Sequence, residues 1–198
     1  MRLTRWIAIL ALALIVACLL AFLRHGFSAR EEPLTVEAYV ARHLRRMAVP
    51  AGGRRARNPV ALSAAVLTMA RAHFADHCAS CHANDGGGKT EIGRNLYPKS
   101  PDMGLAATQE LTDGELFYII ENGIRFTGMP AWGNGTTEGE TESWQLVHFI
   151  RHLPRLAPQE LKEMERLNPV SPAEIKEREE EEKFLQGGDV TPSPAQPR

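Results

Sequence analysis

The stretch Cys78-Ala79-Ser80-Cys81-His82 places two thiols and an imidazole within five residues. This spacing attaches a c-type haem, because the two thiols add to the two vinyl groups of one haem. The histidine that follows then lies beneath the iron as its proximal ligand. We therefore predict one haem c, bound covalently through Cys78 and Cys81, with His82 as an iron ligand.

Two other kinds of site use a pair of cysteines at this spacing, and the sequence leaves both open. A structural zinc site usually has a second ligand pair, and the only other cysteine is Cys18. A thioredoxin-like dithiol lies in a βαβ context, whereas the segments on both sides of this motif are typical of helices. A non-haem zinc-binding module is the least favoured interpretation.

An apolar run, Trp6 to Leu23, contains 18 residues without a charge and is flanked by Arg5 and Arg24. At about 1.5 Å per residue this is the length of a short transmembrane helix. No A-x-A-type cleavage site follows the run. We predict an uncleaved signal-anchor over residues 1–24.

A cleaved signal peptide and a lipoprotein signal are the alternatives for this run. The sequence Ile15-Val16-Ala17-Cys18 resembles a lipobox, but the apolar run continues beyond the cysteine to Leu23. In an anchor, Cys18 is a small apolar residue of a membrane helix.

The charge of the chain is nearly balanced, with 23 Lys and Arg against 24 Asp and Glu. This balance argues against nucleic acid as a partner. Beyond the anchor we predict an all-α protein in four parts. These are an amphipathic helix and linker (25–58), a helical haem domain (59–155), a charged helical extension (156–186) and a disordered tail (187–198).

The amphipathic helix is predicted from Thr35 to about Ala48, with Pro50 ending it. Apolar residues recur at steps of three and four, and arginines occupy much of the remaining surface; they are Val36, Val40, Leu44 and Met47, and Arg42, Arg45 and Arg46. The helix either lies on anionic lipid headgroups or packs on the haem domain with a solvated basic face. Residues 51–58 (AGGRRARN) are predicted to form a linker.

Three helices are predicted in the haem domain. The first runs from about 63 to 77, directly into the motif, with Val66, Ala70 and Phe74 on one face. The second begins at a Thr112–Glu115 capping box and ends at Gly123. The third runs from about 140 to 153 and is ended by Pro154.

The extension contains a short predicted helix over 158–167 and a charged one from a capping box at Ser171–Glu174 to about Gln186. The acidic run 177–182 is either a solvated helix or a docking site for a basic redox partner.

A second iron ligand is predicted at Met129, which lies 47 residues after His82 in a loop between two helices. A thioether favours ferrous iron and raises the reduction potential relative to a nitrogen ligand. Met103 is a competing candidate. The histidines of the last helix, His148 and His152, are expected to face solvent or cap the helix, and the pair before the motif, His73 and His77, cannot easily reach the distal face.

The chain resembles class I c-type cytochromes of the monohaem, membrane-anchored bacterial type. The resemblance rests on CASCH at 78–82, GMPAW at 128–132 and the last helix with Trp144, Leu146 and Phe149. It implies that Ala70 and Phe74 meet Leu146 and Phe149 where the first and last helices cross. It also implies that the carbonyl of Pro98 or Pro101 accepts a hydrogen bond from His82. Candidate donors to the haem propionates are Arg94, Tyr97, Arg125 and Trp132.

The function expected from this resemblance is electron transfer rather than catalysis. The expected partners are redox proteins such as a membrane dehydrogenase or oxidase complex, together with the membrane itself. The expected location is the bacterial inner membrane, single-pass, with the haem domain in the periplasm. A haem enzyme or gas sensor with a labile sixth ligand is the alternative.

Overall fold

A computed structural model describes residues 2–25, 28–170 and 172–186. These residues form helices and connecting segments, with no strand among them, so the all-α prediction is confirmed. The helices are α1 (Arg2–His25), α2 (Thr35–Ala48), α3 (Ala51–Arg55), α4 (Ala64–His73), α5 (Ala79–His82), α6 (Glu91–Asn95), α7 (Ala106–Gln109), α8 (Asp113–Asn122), α9 (Thr137–His152), α10 (Pro158–Glu165) and α11 (Pro172–Leu185). The predicted cap Ser171 and the predicted tail 187–198 lie outside the described residues.

The crossing of α4 and α9 forms the centre of the core. The rings of Phe74 and Phe149 lie 5.0 Å apart at 51°, and Ala70 and Leu146 are buried beside them. The small side chain of Ala70 lets the two helices approach each other. Burying one such phenylalanine contributes about 1.5–3 kcal/mol. The contact expected from the family resemblance is therefore present.

Helix α8 begins and ends where the sequence indicates. The Thr112 hydroxyl accepts from the Glu115 N–H at 3.1 Å, and the Glu115 carboxylate accepts from the Thr112 N–H at 2.8 Å. Gly123 ends the helix. The Phe117 ring of α8 stacks on Trp144 of α9 at 4.1 Å, so α8 packs against the last helix of the domain.

The segment 51–58 is not the free linker that its composition suggested. Helix α3 packs on the first turn of α8, where the Thr112 hydroxyl donates to the Arg54 carbonyl at 2.8 Å. Asn58 donates to the Trp144 carbonyl at 2.8 Å. A Cβ on Gly114 would collide with the backbone of Gly53. The glycine on α8 thus permits a close backbone approach, which a glycine- and arginine-rich sequence does not reveal.

The core also continues past residue 155. Met164 of α10 is fully buried. The Glu160 carboxylate lies 3.1 Å from Arg71 on α4 and 3.0 Å from His152 on α9. Helix α10 is therefore packed against α4 and α9, although the sequence assigned it to a separate extension.

Helix α1 contains the stretch Thr4–Arg24, which is long and apolar enough to cross a membrane. Its described side chains are exposed throughout. This is the one such helix among the described residues.

Candidate haem site

The proximal segment, Phe74–His82, consists of a π-helix (Phe74–Cys78) followed by α5. Single π-helical turns widen the backbone spiral and occur at functional sites. Here the turn keeps Phe74 and Ala75 in the core while Cys78 and Cys81 remain half-buried. Helix α5 ends at His82, and the next residue, Ala83, has a φ of 58° that turns the chain away. The motif is thus built directly onto the core.

Burial lowers the pKa of His82, and the Pro101 backbone carbonyl raises it by a smaller amount. The Nδ1 atom of the half-buried ring is inaccessible to solvent and has no partner at good hydrogen-bond geometry. Of the two prolines that the sequence left open, Pro101 is the one that acts on His82.

A glycine-rich loop, residues 86–88, holds Pro101 beside α5. The Gly88 N–H donates to the His82 carbonyl at 2.8 Å, and a Cβ on Gly88 would lie 2.9 Å from the Ser100 carbonyl carbon. Gly88 has a φ of 69°, which favours glycine. The glycine therefore allows the chain at 100–101 to pass against the end of the proximal segment.

Burial, together with the neighbouring Cys81, raises the pKa of Cys78 to about 12. The environment therefore favours an uncharged sulfur. A thioether is uncharged, so this environment suits a sulfur bonded to a haem vinyl group. The uncharged sulfur position and the buried, unpartnered Nδ1 of His82 fit a covalently held haem.

The methionine loop, residues 123–132, is held in its conformation by hydrogen bonds of its own backbone groups. The Ile124 N–H donates to the Met129 carbonyl at 3.1 Å, and the Met129 N–H donates to the Thr127 hydroxyl at 3.1 Å. The Trp132 N–H donates to the Ile120 carbonyl of α8 at 3.0 Å. These bonds fix the position of the half-buried Met129 relative to the end of α8.

Gly128 brings the methionine loop against the segment 96–101. A Cβ on Gly128 would lie 2.6 Å from the Leu96 side chain. The same segment carries Pro101, which acts on His82. One short stretch of chain therefore contacts the neighbours of both predicted iron ligands.

Residues 65–150 match the family described as cytochrome c oxidase, cbb3-type, subunit III. This part of the chain is a c-type cytochrome domain. The match covers less than half of the 198 residues, and no curated protein sequence matches the chain. A cytochrome domain of this kind carries haem c and transfers electrons.

The competing ligands in the cytochrome domain have other contacts. Met103 is buried in the core, and its N–H donates to the Gly86 carbonyl at 2.8 Å. The Nε2 atom of His148 lies 2.8 Å from the Val60 carbonyl oxygen, and that of His152 lies 3.0 Å from Glu160. No cluster of three or more His, Cys, Asp or Glu side chains in the described ranges has metal-binding geometry, so a zinc module finds no ligand set there.

A cleft of about 590 Å³ lies beside the cytochrome domain's first helix. Its walls include His73, His77 and Trp132, and none of the four predicted haem-binding residues lines it. The His77 and Trp132 rings meet edge to face at 5.5 Å. Trp132, a candidate donor to the haem propionates, therefore lies in the wall of this cleft.

Two of the candidate propionate donors are engaged by other residues of the chain. The Tyr97 hydroxyl donates to the Glu37 carboxylate at 2.7 Å, and Arg94 donates to the Lys89 carbonyl at 2.7 Å. Arg125 is exposed. Sequence reasoning missed the Leu96–Gly128 contact, because neither residue carries chemistry that distinguishes it from ordinary loop residues.

Proposed function

We propose that this protein carries single electrons through one haem c, attached at Cys78 and Cys81 and ligated by His82 and Met129. The observation that supports this most strongly is the position of the segment 96–101. It acts on His82 through Pro101 and contacts the methionine loop through Leu96. The segment therefore links the surroundings of the two proposed ligands.

When bound, haem c supplies an iron that alternates between ferrous and ferric forms. His82 and Met129 would together hold that iron and leave no position open for a substrate. The Pro101 carbonyl raises the pKa of His82, and as a hydrogen-bond acceptor it would fix the ring of an iron-bound histidine and raise its basicity. The Met129 thioether favours the ferrous form.

The N-terminal helix is proposed to tether this carrier to the bacterial inner membrane in a single pass, with the cytochrome domain in the periplasm. Support comes from the 21-residue apolar stretch Thr4–Arg24, whose length is about 31 Å at 1.5 Å per residue, against a hydrocarbon core of about 30 Å. A tether raises the effective concentration of the haem near membrane partners.

The proposed partners are membrane redox complexes, an oxidase or a dehydrogenase. The family matched by residues 65–150 is named for a subunit of a cbb3-type cytochrome c oxidase. Encounters between electron carriers are typically small and transient. Purification in mild detergent, followed by identification of the co-purifying proteins, tests this part of the proposal.

A redox titration of the detergent-extracted, full-length protein tests electron transfer. We expect covalent haem in the pyridine haemochrome assay, a single one-electron transition and no binding of carbon monoxide to the ferrous protein. A high-spin spectrum or rapid carbon monoxide binding would instead favour a haem enzyme or gas sensor.

Sodium carbonate washing of membranes tests the tether. We expect the protein to stay in the pellet with an intact mass that includes residues 1–24. Release into the wash, or a mass that lacks the apolar run, would show a cleaved signal peptide. A mass that shows cleavage before Cys18 together with attached lipid would show a lipoprotein.

A further inference from the structure

Helix α2 carries an apolar stripe that no part of the described chain covers. The stripe consists of Val36, Val40, Leu44 and Met47, at steps of four, four and three residues. Their exposed fractions range from 46% at Val40 to 74% at Met47, and α2 buries no residue. An amphipathic helix normally turns such a stripe toward a core or a membrane.

The helix meets the cytochrome domain with a different side. Arg45 lies nine residues after Val36, about half a turn around the helix, and it is half-buried. Together with Arg42 and Arg46 it lines a cleft that α2 shares with Ala107 and Glu110 of the domain. The apolar stripe therefore faces away from the domain.

The length of the chain places this stripe close to the membrane. Nine residues, 26–34, separate the end of α1 from the start of α2. They span about 30 Å at most when fully extended, and α2 itself is about 21 Å long. If α1 crosses the bilayer, α2 has no freedom to move far from the lipid surface.

The polar residues of α2 suit a lipid interface. Arg42 and Arg46 are exposed, and Tyr39 is an exposed aromatic residue between them and the stripe. Arginine and tyrosine place apolar atoms toward acyl chains and polar groups toward headgroups. Helices with a basic face and an apolar face lie in the interface plane of membranes that contain anionic lipid.

We propose that α2 lies in the membrane interface, with the apolar stripe among the acyl chains and Arg42 and Arg46 against anionic headgroups. The domain then rests on the bilayer in one orientation, because the Glu37–Tyr97 contact joins α2 to the segment 96–101. The Lys99 ammonium adds a second link, since it donates to the Ala29 carbonyl at 2.6 Å. This inference rests on the proposed membrane tether.

The test uses the full-length haem-loaded protein in nanodiscs of phosphatidylcholine and phosphatidylglycerol. Cys18→Ser leaves no free thiol once Cys78 and Cys81 are bonded to haem. An environment-sensitive fluorophore is then attached at Val40→Cys, Leu44→Cys or Met47→Cys, with Ala41→Cys as the control. Ala41 is exposed on the same helix outside the stripe.

We expect blue-shifted emission and quenching by doxyl-labelled lipids at the three stripe positions, and water-like emission at Ala41. Water-like emission at every position would overturn the inference. So would a blue shift without doxyl quenching, because a protein would then cover the stripe. The membranes from which each variant is extracted are washed with carbonate beforehand, so loss of the tether is recognised separately.

A second variant removes the stripe without touching the domain. Val40→Glu with Leu44→Glu should leave the haem spectrum unchanged, because both side chains are exposed. We expect the haem to move away from the bilayer, so that it quenches fluorescent headgroups less than in the wild type or in Ala41→Glu. Unchanged quenching in the double variant would contradict the proposed role of α2.

Discussion

The proximal segment and the methionine loop are built by different forces. The proximal segment is part of the core, since Phe74 and Ala75 are 1% and 0% exposed. The methionine loop lies at the surface, where Phe126 is 93% exposed and has a φ of 62°. Hydrophobic burial positions His82, whereas a few backbone hydrogen bonds position Met129.

This difference predicts that attachment of the haem and ligation of its iron by Met129 respond to different substitutions. Changes in the proximal segment affect both the motif and the core. Changes in the methionine loop affect the proposed second ligand while the core remains intact. Variants on the two sides should therefore fail in different ways, and each prediction below tests that separation.

The largest effect is expected when both motif thiols are removed. Cys78→Ala with Cys81→Ala should abolish covalent haem, because no sulfur remains to bond the vinyl groups. The pyridine haemochrome assay on denatured protein measures this loss. Cys18→Ala is the matched control and should retain full haem. Retention of covalent haem by the double variant would show that the motif does not attach it.

Removal of the Met129 thioether should leave the haem attached but change the iron. In Met129→Ala we expect a fall in reduction potential on the order of 0.1 V, since axial ligands set potentials over a range of about 0.8 V. Redox titration measures the shift. The ferric protein should also lose the weak long-wavelength band of a methionine–iron bond.

Met103→Leu is the control for this experiment. Met103 is buried in the core, and an exchange of similar volume costs less than about 1.5 kcal/mol. We expect its spectrum and potential to match the wild type. If Met103→Leu loses the long-wavelength band and Met129→Ala keeps it, the ligand assignment is reversed.

The closure of the methionine loop can be tested at Gly123. This residue has a φ of 64°, and a Cβ there would lie 2.6 Å from the Pro130 carbonyl carbon. Gly135 has a φ of 72° with open space around its Cβ position. Gly135→Ala should cost about 1–2 kcal/mol from backbone strain alone, and Gly123→Ala should cost more.

Denaturant unfolding of both haem-loaded variants provides this comparison. Gly123→Ala should also weaken the methionine–iron band, because the strain displaces Met129–Ala131. Equal destabilisation of the two variants, with an unchanged band, would show that loop closure does not position the ligand.

The smallest effect is expected on the pH dependence of stability, through Glu160 at the contact between α10 and the core. Burial tends to raise the pKa of Glu160, but the Ala157 N–H, His152 and Arg71 outweigh it and lower the pKa. A lowered folded-state pKa stabilises the fold above the ordinary carboxyl pKa. That contribution is lost as pH falls through the folded-state value.

Glu160→Gln should therefore unfold with a weaker dependence on pH in the acidic range than the wild type. The difference at neutral pH should be at most about 1 kcal/mol, because solvent screens partly exposed pairs. Thermal unfolding between neutral and acidic pH measures both quantities. If the stability of the two proteins depends on acidic pH in the same way, Glu160 does not stabilise the fold through its lowered pKa.

Local patterns predicted most of the helices in this molecule. The capping box at Thr112 and the glycine at 123 gave the bounds of α8, because both signals act within one turn. The contact of Phe74 with Phe149 followed from the family resemblance. The π-helix at Phe74–Cys78 was not predicted, since the apolar spacing continues through it as in an α-helix.

Other contacts between distant segments could not be predicted from the sequence. The choice of Pro101 over Pro98 depends on how the glycine-rich loop approaches residues 100–101. The packing of α3 depends on a backbone contact with Gly114, and that of α10 on burial of Met164. Such tertiary contacts leave no periodic signal in the segments that make them.

The most direct test of His82–Met129 ligation is nuclear magnetic resonance of the ferrous protein with ¹³C-labelled methionine methyl groups. A methyl group bound at the iron lies over the haem ring, whose ring current moves its resonance far upfield. We expect one of the six methionines to show this shift, and we expect Met129→Leu to abolish it. An upfield methyl that persists in Met129→Leu, or none in the wild type, would contradict Met129 as the ligand.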